Sequence, residues 1–250
     1  MRIEGCVALV TGANRGIGQG FVEELLAQGA ARVYAAARSA ADAAAMEAAA
    51  PDGRVTGIVL DVTDKVQVAH AAARCTDVGL LINNAGAFNR QTLMQAPDMA
   101  ALRQEMEVNY FGLVAMCRAF APVLAANGGG AIVNVLSAGG IVAVPEMGGY
   151  SPSKFAARAA GDCIRAELAG QGTHVASLIV GSVDTRMAEH VKGVEKSTPR
   201  DIARSGLLAV RHRIDEHDTD RHAVEVRAFL ARDPHRLRQS MIQRMAKTKG

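Results

Sequence analysis

Cys6-Val-Ala-Leu-Val-Thr-Gly-Ala-Asn-Arg-Gly-Ile-Gly18 is the stretch on which the fold turns. Cys6 to Val10 is a short apolar run and reads as a buried strand. A Gly-x3-Gly-x-Gly turn follows, and Phe21, Val22, Leu25 and Leu26 then recur at helical spacing. Strand, glycine-rich turn and helix in that order place backbone N–H groups where an anion can be held. Gly12 allows the tight turn, Gly16 lets the backbone approach a diphosphate, and Gly18 permits close packing of helix on strand. Asn14, Arg15 and Ile17, set between those glycines, belong to the same expected contact with a dinucleotide.

Outward from this turn, Arg32 to Ala37 reads as a second strand that ends at Arg38. In dinucleotide-binding folds an acid at that point holds a ribose 2′-hydroxyl, whereas an arginine accommodates a 2′-phosphate. Ala36, Ala37 and Arg38 include no acid, and Arg15 offers a second cation, so the pattern favours NADP(H) over NAD(H).

The alternation then continues. Ala40 to Ala50 reads as an alanine-rich helix stopped by Pro51-Asp-Gly53, Val55 to Leu60 as a third strand, and Lys65 to Cys75 as a polar helix. Asp61 and Val62 follow the third strand and should reach the adenine edge. Val78 to Ile82 is a fourth strand leading into Asn83-Asn-Ala-Gly86, where Asn84, Ala85 and Gly86 are small enough for a cofactor to lie against the backbone. A long apolar-periodic helix is expected from Met99 to Ala126, with Asn109 buried in its middle for a hydrogen-bonding reason. Ala131 to Leu136 is a fifth strand that delivers Ser137 at its C-terminal end, where ligands bind in open α/β sheets. Val175 to Val180 is a sixth strand. This βαβ succession specifies the α/β class with a right-handed parallel sheet, one domain over residues 1–250. Its cofactor half would cover about 1–130 and its catalytic and substrate half about 131–250.

Tyr150-Ser-Pro-Ser-Lys154 carries the chemistry. Residues four apart share a helix face, so phenol and ammonium enter the same space. At an effective dielectric of about 20, a lysine cation about 4 Å away favours the phenolate by about 4 kcal/mol, on the order of three pKa units before desolvation. The pair thus suits a general acid/base for a hydroxyl or carbonyl.

Thr-Gly-x3-Gly-x-Gly at 11–18, Asp61, Asn-Asn-Ala-Gly at 83–86, Asn109, Ser137 and Tyr150-x3-Lys154 occur in order, and together they resemble the short-chain dehydrogenase/reductase family. The resemblance spans Val7 to about Thr185. It implies a single Rossmann-like doubly wound parallel sheet with helices on both faces, a nicotinamide cofactor and a catalytic tetrad of Asn109, Ser137, Tyr150 and Lys154. By that analogy Asn109 orders a water that links Lys154 to solvent, and Val183 and Thr185 approach the cofactor. The glycine loop and Arg38 resemble the NADPH-preferring carbonyl reductases, which implies an alcohol dehydrogenase or carbonyl reductase. Two departures stand out. Val180-Gly181 replaces the family's Pro-Gly pair, which should loosen the start of the lid. The chain also continues past the sixth strand into basic helices, which leaves a seventh strand near Asp215 to His222 short or missing.

Hydrophobic residues make up 49% and aromatics 4%, which suits a core of Ala, Val, Leu and Ile. No unbroken apolar run reaches the roughly 18 residues of a membrane span, and no secretory leader pattern is evident, so a cytoplasmic protein without membrane contact is expected. Cys6, Cys75, Cys117 and Cys163 lie apart and read as reduced. From Arg200 onward there are 12 Lys+Arg against 7 Asp+Glu, but the signs interleave without aromatics, so a solvated helical surface is expected and no nucleic acid. Asp215 to His222 lacks ligand spacing and reads as a solvated loop with no metal. Substrate contacts are expected from Ala87 to Leu93, Ile141 to Met147 and Met187 to Val191, mostly apolar, with Arg90 and Glu146 as polar exceptions. A small-molecule carbonyl or alcohol is the expected partner. A homodimer or homotetramer through the long helix and the Tyr150 helix is expected, with Leu113, Met116 and Phe120 supplying apolar area. A vestigial NADP(H)-binding sensor is the rival reading, and the intact tetrad speaks against it.

Overall fold

The computed structural model describes residues 1–50, 52–189, 193 and 195–247. Strand β1 (Val7–Thr11) runs into α1 (Gly16–Ala27), and β2 (Arg32–Ala37), α2 (Ala40–Ala48), β3 (Val55–Val59), α3 (Lys65–Arg74) and β4 (Leu80–Asn83) continue the alternation. Then come α4 (Ala100–Met106), α5 (Leu113–Ala126), β5 (Gly130–Val135), α6 (Tyr150–Leu168), β6 (Thr173–Ile179) and α7 (Pro199–His212). β7 (Glu216–Asp218), α8 (Arg221–Arg232) and α9 (Pro234–Lys247) end the described chain. The seven strands form one parallel sheet in the order β3-β2-β1-β4-β5-β6-β7. The order reverses between β1 and β4, and ligands bind outside the strand ends at such a point.

Side chains alternate across the sheet and divide the core in two. In β1, Ala8 and Val10 pack with Phe21 and Leu25 of α1 and Ile202 and Leu207 of α7. Leu9 faces the other way, toward Met116 and Phe120 of α5 and Ala157 of α6. Val, Leu, Ile and Ala fill both layers, as a sheet covered on both faces requires.

Four expectations change. The long helix is not uniform, because Glu107–Gly112 between α4 and α5 forms a π-helical turn that presents Asn109. Leu113, Met116 and Phe120 are buried against the sheet and supply no outer surface, whereas Phe111 and Phe155 are exposed. The most apolar 18-residue window of Ala100–Ala126 has mean hydropathy 1.5, so by length and composition alone this helix could cross a membrane.

The polar run Asp215 to His222 is the third change. It is no solvated loop but contains a half-buried seventh strand, short yet present, pairing Ser177 with Glu216 and Ile179 with Asp218. Arg158 and Arg227 neutralise its carboxylates through Glu216 and Asp218. Fourth, the basic tail is not surface alone. Ala223 and Leu237 are buried, and Val226, Phe229 and Met241 pack on the core layer beneath α5 and α6. The end of the second helix at Pro51, and the pocket positions His190 and Val191, lie outside the described residues.

Candidate active site

A single cleft of about 1930 Å³ crosses the C-terminal ends of the strands. At one end it is bordered by the glycine turn. Gly12 and Gly16 take left-handed φ values of 62° and 55°, which other residues adopt only at a cost. A Cβ on Gly18 would collide with the carbonyl of Gly12, so this glycine is buried packing and does not line the cleft. Arg15, at the N-cap of α1, makes no side-chain cap, so the first N–H groups of a twelve-residue helix face the cleft without a side-chain acceptor. That is the arrangement a diphosphate fits.

Asn14, Arg15, Gly16, Ile17, Arg38, Asp61, Val62, Asn84, Ala85, Gly86, Val183 and Thr185 all border the same cleft. Arg15 and Arg38 are exposed. Asn14 Nδ2 donates to Asp42 Oδ2 at 3.1 Å and so engages the nearby carboxylate, while Ser39 Oγ accepts the Asp42 backbone amide at 3.0 Å and caps α2. Asn84 Nδ2 reaches the carbonyls of Thr11 and Gly12 and ties the two glycine-containing turns together.

Ser137, Tyr150 and Lys154 meet at the centre of the cleft. Ser137 follows β5 and caps a short 3-10 turn, its Oγ accepting from Gly139 N at 3.1 Å. Tyr150 is the first residue of α6, and Lys154 lies one turn on, both buried. Lys154 Nζ donates to Val135 O at 2.9 Å and lies 5.6 Å from the Tyr150 ring centroid. Burial pushes the phenol upward, a hydrogen bond with Ser137 opposes this, and the Glu105 carboxyl adds to the rise. Burial also pushes the Lys154 ammonium down to about 8. Burial of the phenol thus works against the lowering expected from the nearby lysine.

Asn109 is held by three side-chain hydrogen bonds. Its Oδ1 accepts from Ala87 N at 2.8 Å, and its Nδ2 donates to Ala87 O and Ser153 Oγ, both at 2.9 Å. It braces the turn after β4 against α6. The π turn is what aims it there.

The short chain dehydrogenase family model matches residues 6–195. The chain belongs to the short-chain dehydrogenase family. A short chain dehydrogenase from Burkholderia cenocepacia, solved in complex with NADP, is 43% identical to this dehydrogenase, with a TM-score of 0.89 over 96% of this chain and 99% of that one. The galactitol 2-dehydrogenase of Cereibacter sphaeroides is 38% identical over 192 residues, 74% of each chain. The 3-ketodihydrosphingosine reductase of Bacteroides thetaiotaomicron is 31% identical over 65% of this chain and 58% of its own.

Glu105 escaped the sequence reading. Glu105 is buried, its Oε1 accepting from Asn89 N at 2.7 Å while Oε2 has no hydrogen-bond partner and lies against Gly149. An isolated acid four residues before Asn109 gave no spacing signal. Phe88 sits 4.9 Å from the Tyr150 ring. Arg90 is exposed on the cleft rim, and Glu146 does not border the cleft.

The segment after β6 is held by residues far along the chain. Gly181 N donates to Asp220 Oδ2 at 2.7 Å, and Ser182 Oγ hydrogen-bonds His222 Nδ1 at 2.6 Å. Val183 forms a bridge with Ser197. A side chain at 181 would strike Asp220 and Ala223, so glycine is what permits this clamp.

Proposed function

We propose that this protein is an NADP(H)-dependent oxidoreductase that interconverts a ketone or aldehyde and its alcohol, a carbonyl reductase or alcohol dehydrogenase. The observation that carries this reading is the convergence of buried Tyr150, Ser137 and Lys154 in one cleft with the uncapped start of α1. The nicotinamide, when bound, supplies or accepts the hydride. Arg15 and Arg38 would hold its 2′-phosphate, and the α1 N-terminus its diphosphate. The NADP bound by the 43% identical Burkholderia protein supports the same choice.

For reduction, Tyr150 gives its phenolic proton to the carbonyl oxygen as the carbon receives the hydride. Ser137 donates to the same oxygen, where negative charge develops. A phenol held neutral by burial is ready to donate, and the Lys154 cation stabilises the phenolate left behind. Asn109 fixes Ala87 and Ser153 so that the turn and α6 keep their spacing. Tyr150→Phe should lower turnover at least about a hundredfold while NADPH still binds. Near-normal turnover in that variant would refute the mechanism.

Association into a dimer or tetramer is also proposed. Phe111, 51% exposed, and Phe155, 38% exposed, offer apolar area on the outer faces of the helical layer. Light scattering at micromolar concentration should give at least twice the 26.2 kDa chain mass, and a monomer would exclude it.

A further inference from the structure

We infer that the α8–α9 hairpin is the substrate-recognition element of this site, and that it takes a neutral carbonyl or alcohol bearing an extended apolar group. This rests on the oxidoreductase reading above. Val226 of α8 and Leu237 and Met241 of α9 border the same cleft as Tyr150 and Ser137. Phe88, Val142 and Met147 line it too, so the groups of two loops and two helices meet around the space beside the phenol. Leu237 is buried in the layer that also holds Val142, with Val226 and Met241 packed against it.

This wall is fastened rather than merely laid on the surface. Asp220 caps α8 by accepting Ala223 N and uses its other oxygen to hold Gly181 N. His222, which also faces the cleft, is joined to Ser182 through Nδ1. Arg227 binds both Glu216 and Asp218 of β7. The hairpin and the backbone beside the expected nicotinamide position are therefore tied together. The charged side chains Arg90, Asp184, Arg186 and Glu189 come from the cleft-lining loops, and the one polar group the hairpin gives the cleft, His222, is engaged by Ser182. A polyhydroxylated substrate would leave hydroxyls unpaired against Val226, Leu237 and Met241, which strongly disfavours it.

Each methylene buried against such a wall should raise kcat/KM about threefold to fourfold. The test measures NADPH-dependent reduction of the 2-alkanones from 2-butanone to 2-decanone. In the wild type, kcat/KM should climb by that factor over at least three successive methylenes. Met241→Asp should flatten the increment to below about 1.5-fold. Ile242→Asp, on the same helix but 62% exposed, should keep the wild-type slope. Comparing slopes rather than rates keeps the result independent of partial unfolding, and NADPH affinity checks that each variant retains its cofactor cleft. A flat series in a wild type whose turnover depends on Tyr150 would overturn this inference alone. So would an undiminished slope in Met241→Asp, or galactitol oxidised with NADP faster than 2-octanol. A wild type that binds NADPH but reduces no ketone of any length would sink the oxidoreductase reading together with it.

Discussion

Lys154 Nζ stands 5.6 Å from the centre of the Tyr150 ring and spends its hydrogen bond on the carbonyl of Val135. The pair thus acts through the field of the cation rather than through direct contact. With its pKa held down to about 8 by burial, the lysine is charged at neutral pH and loses its charge as pH rises through 8. Reduction should be level below that point and decline above it, although the phenol itself remains protonated. Lys154→Met should lower the whole profile and abolish the break near 8. Stability should move the other way. The folded pKa is below the unfolded value of about 10.5, so the unfolded chain binds more protons between 8 and 10.5, and this group makes the fold more stable as pH rises across that window. A break near 8 that survives in Lys154→Met would assign the titration to another group.

Arg38 tests the cofactor assignment. A charge-assisted bond to a 2′-phosphate contributes about 1.5 to 3 kcal/mol, so Arg38→Ala should weaken NADPH about tenfold to a hundredfold and leave NADH almost unchanged. Arg38→Asp should shift the preference further, since the new carboxylate repels phosphate and can accept a ribose hydroxyl. The ratio of kcat/KM with NADPH to that with NADH, measured in all three proteins, decides it. A wild type that favours NADH would place the 2′-position elsewhere.

Much of this architecture was legible because it is local. Valine, alanine and leucine runs broken by glycine announced β1 to β6, and the motif residues of the cofactor cleft gather where the strand ends put them. The illegible parts depend on contacts distant in sequence. Glu216, His217 and Asp218 look like loop because each is polar, yet Arg158 and Arg227 neutralise the carboxylates and Ser205 hydrogen-bonds His217. Leu113, Met116 and Phe120 form an apolar stripe that fits an oligomer interface or a sheet equally well by period alone. Asp220 gives no hint in sequence that it holds the Gly181 backbone, 39 residues earlier.

Glu105 offers a test that sequence did not suggest. Burial raises its pKa, so the fold favours the protonated acid. A carboxyl whose folded pKa exceeds the unfolded one contributes stability at low pH, and that contribution fades as pH rises through the unfolded value of about 4.3 to the folded one. Glu105→Gln keeps the shape and an acceptor for Asn89 N while removing the charge. It should be more stable than the wild type at pH 7 by about 1 kcal/mol, with the difference vanishing near pH 4. Urea unfolding at both pH values measures this, and equal midpoints at pH 7 would show that the carboxylate is adequately solvated.

The bond between Gly181 and Asp220 also has a consequence for how the molecule is made. A chain leaves the ribosome N-terminus first, at about 5 to 20 residues per second. The glycine turn, Ser137, Tyr150 and Lys154 all emerge well before Asp220. The backbone at 181–182, however, has no anchor until 220–222 arrive, and the wall formed by Val226, Leu237 and Met241 comes later still. The residues of the cofactor cleft are thus synthesised before those that form the wall beside it.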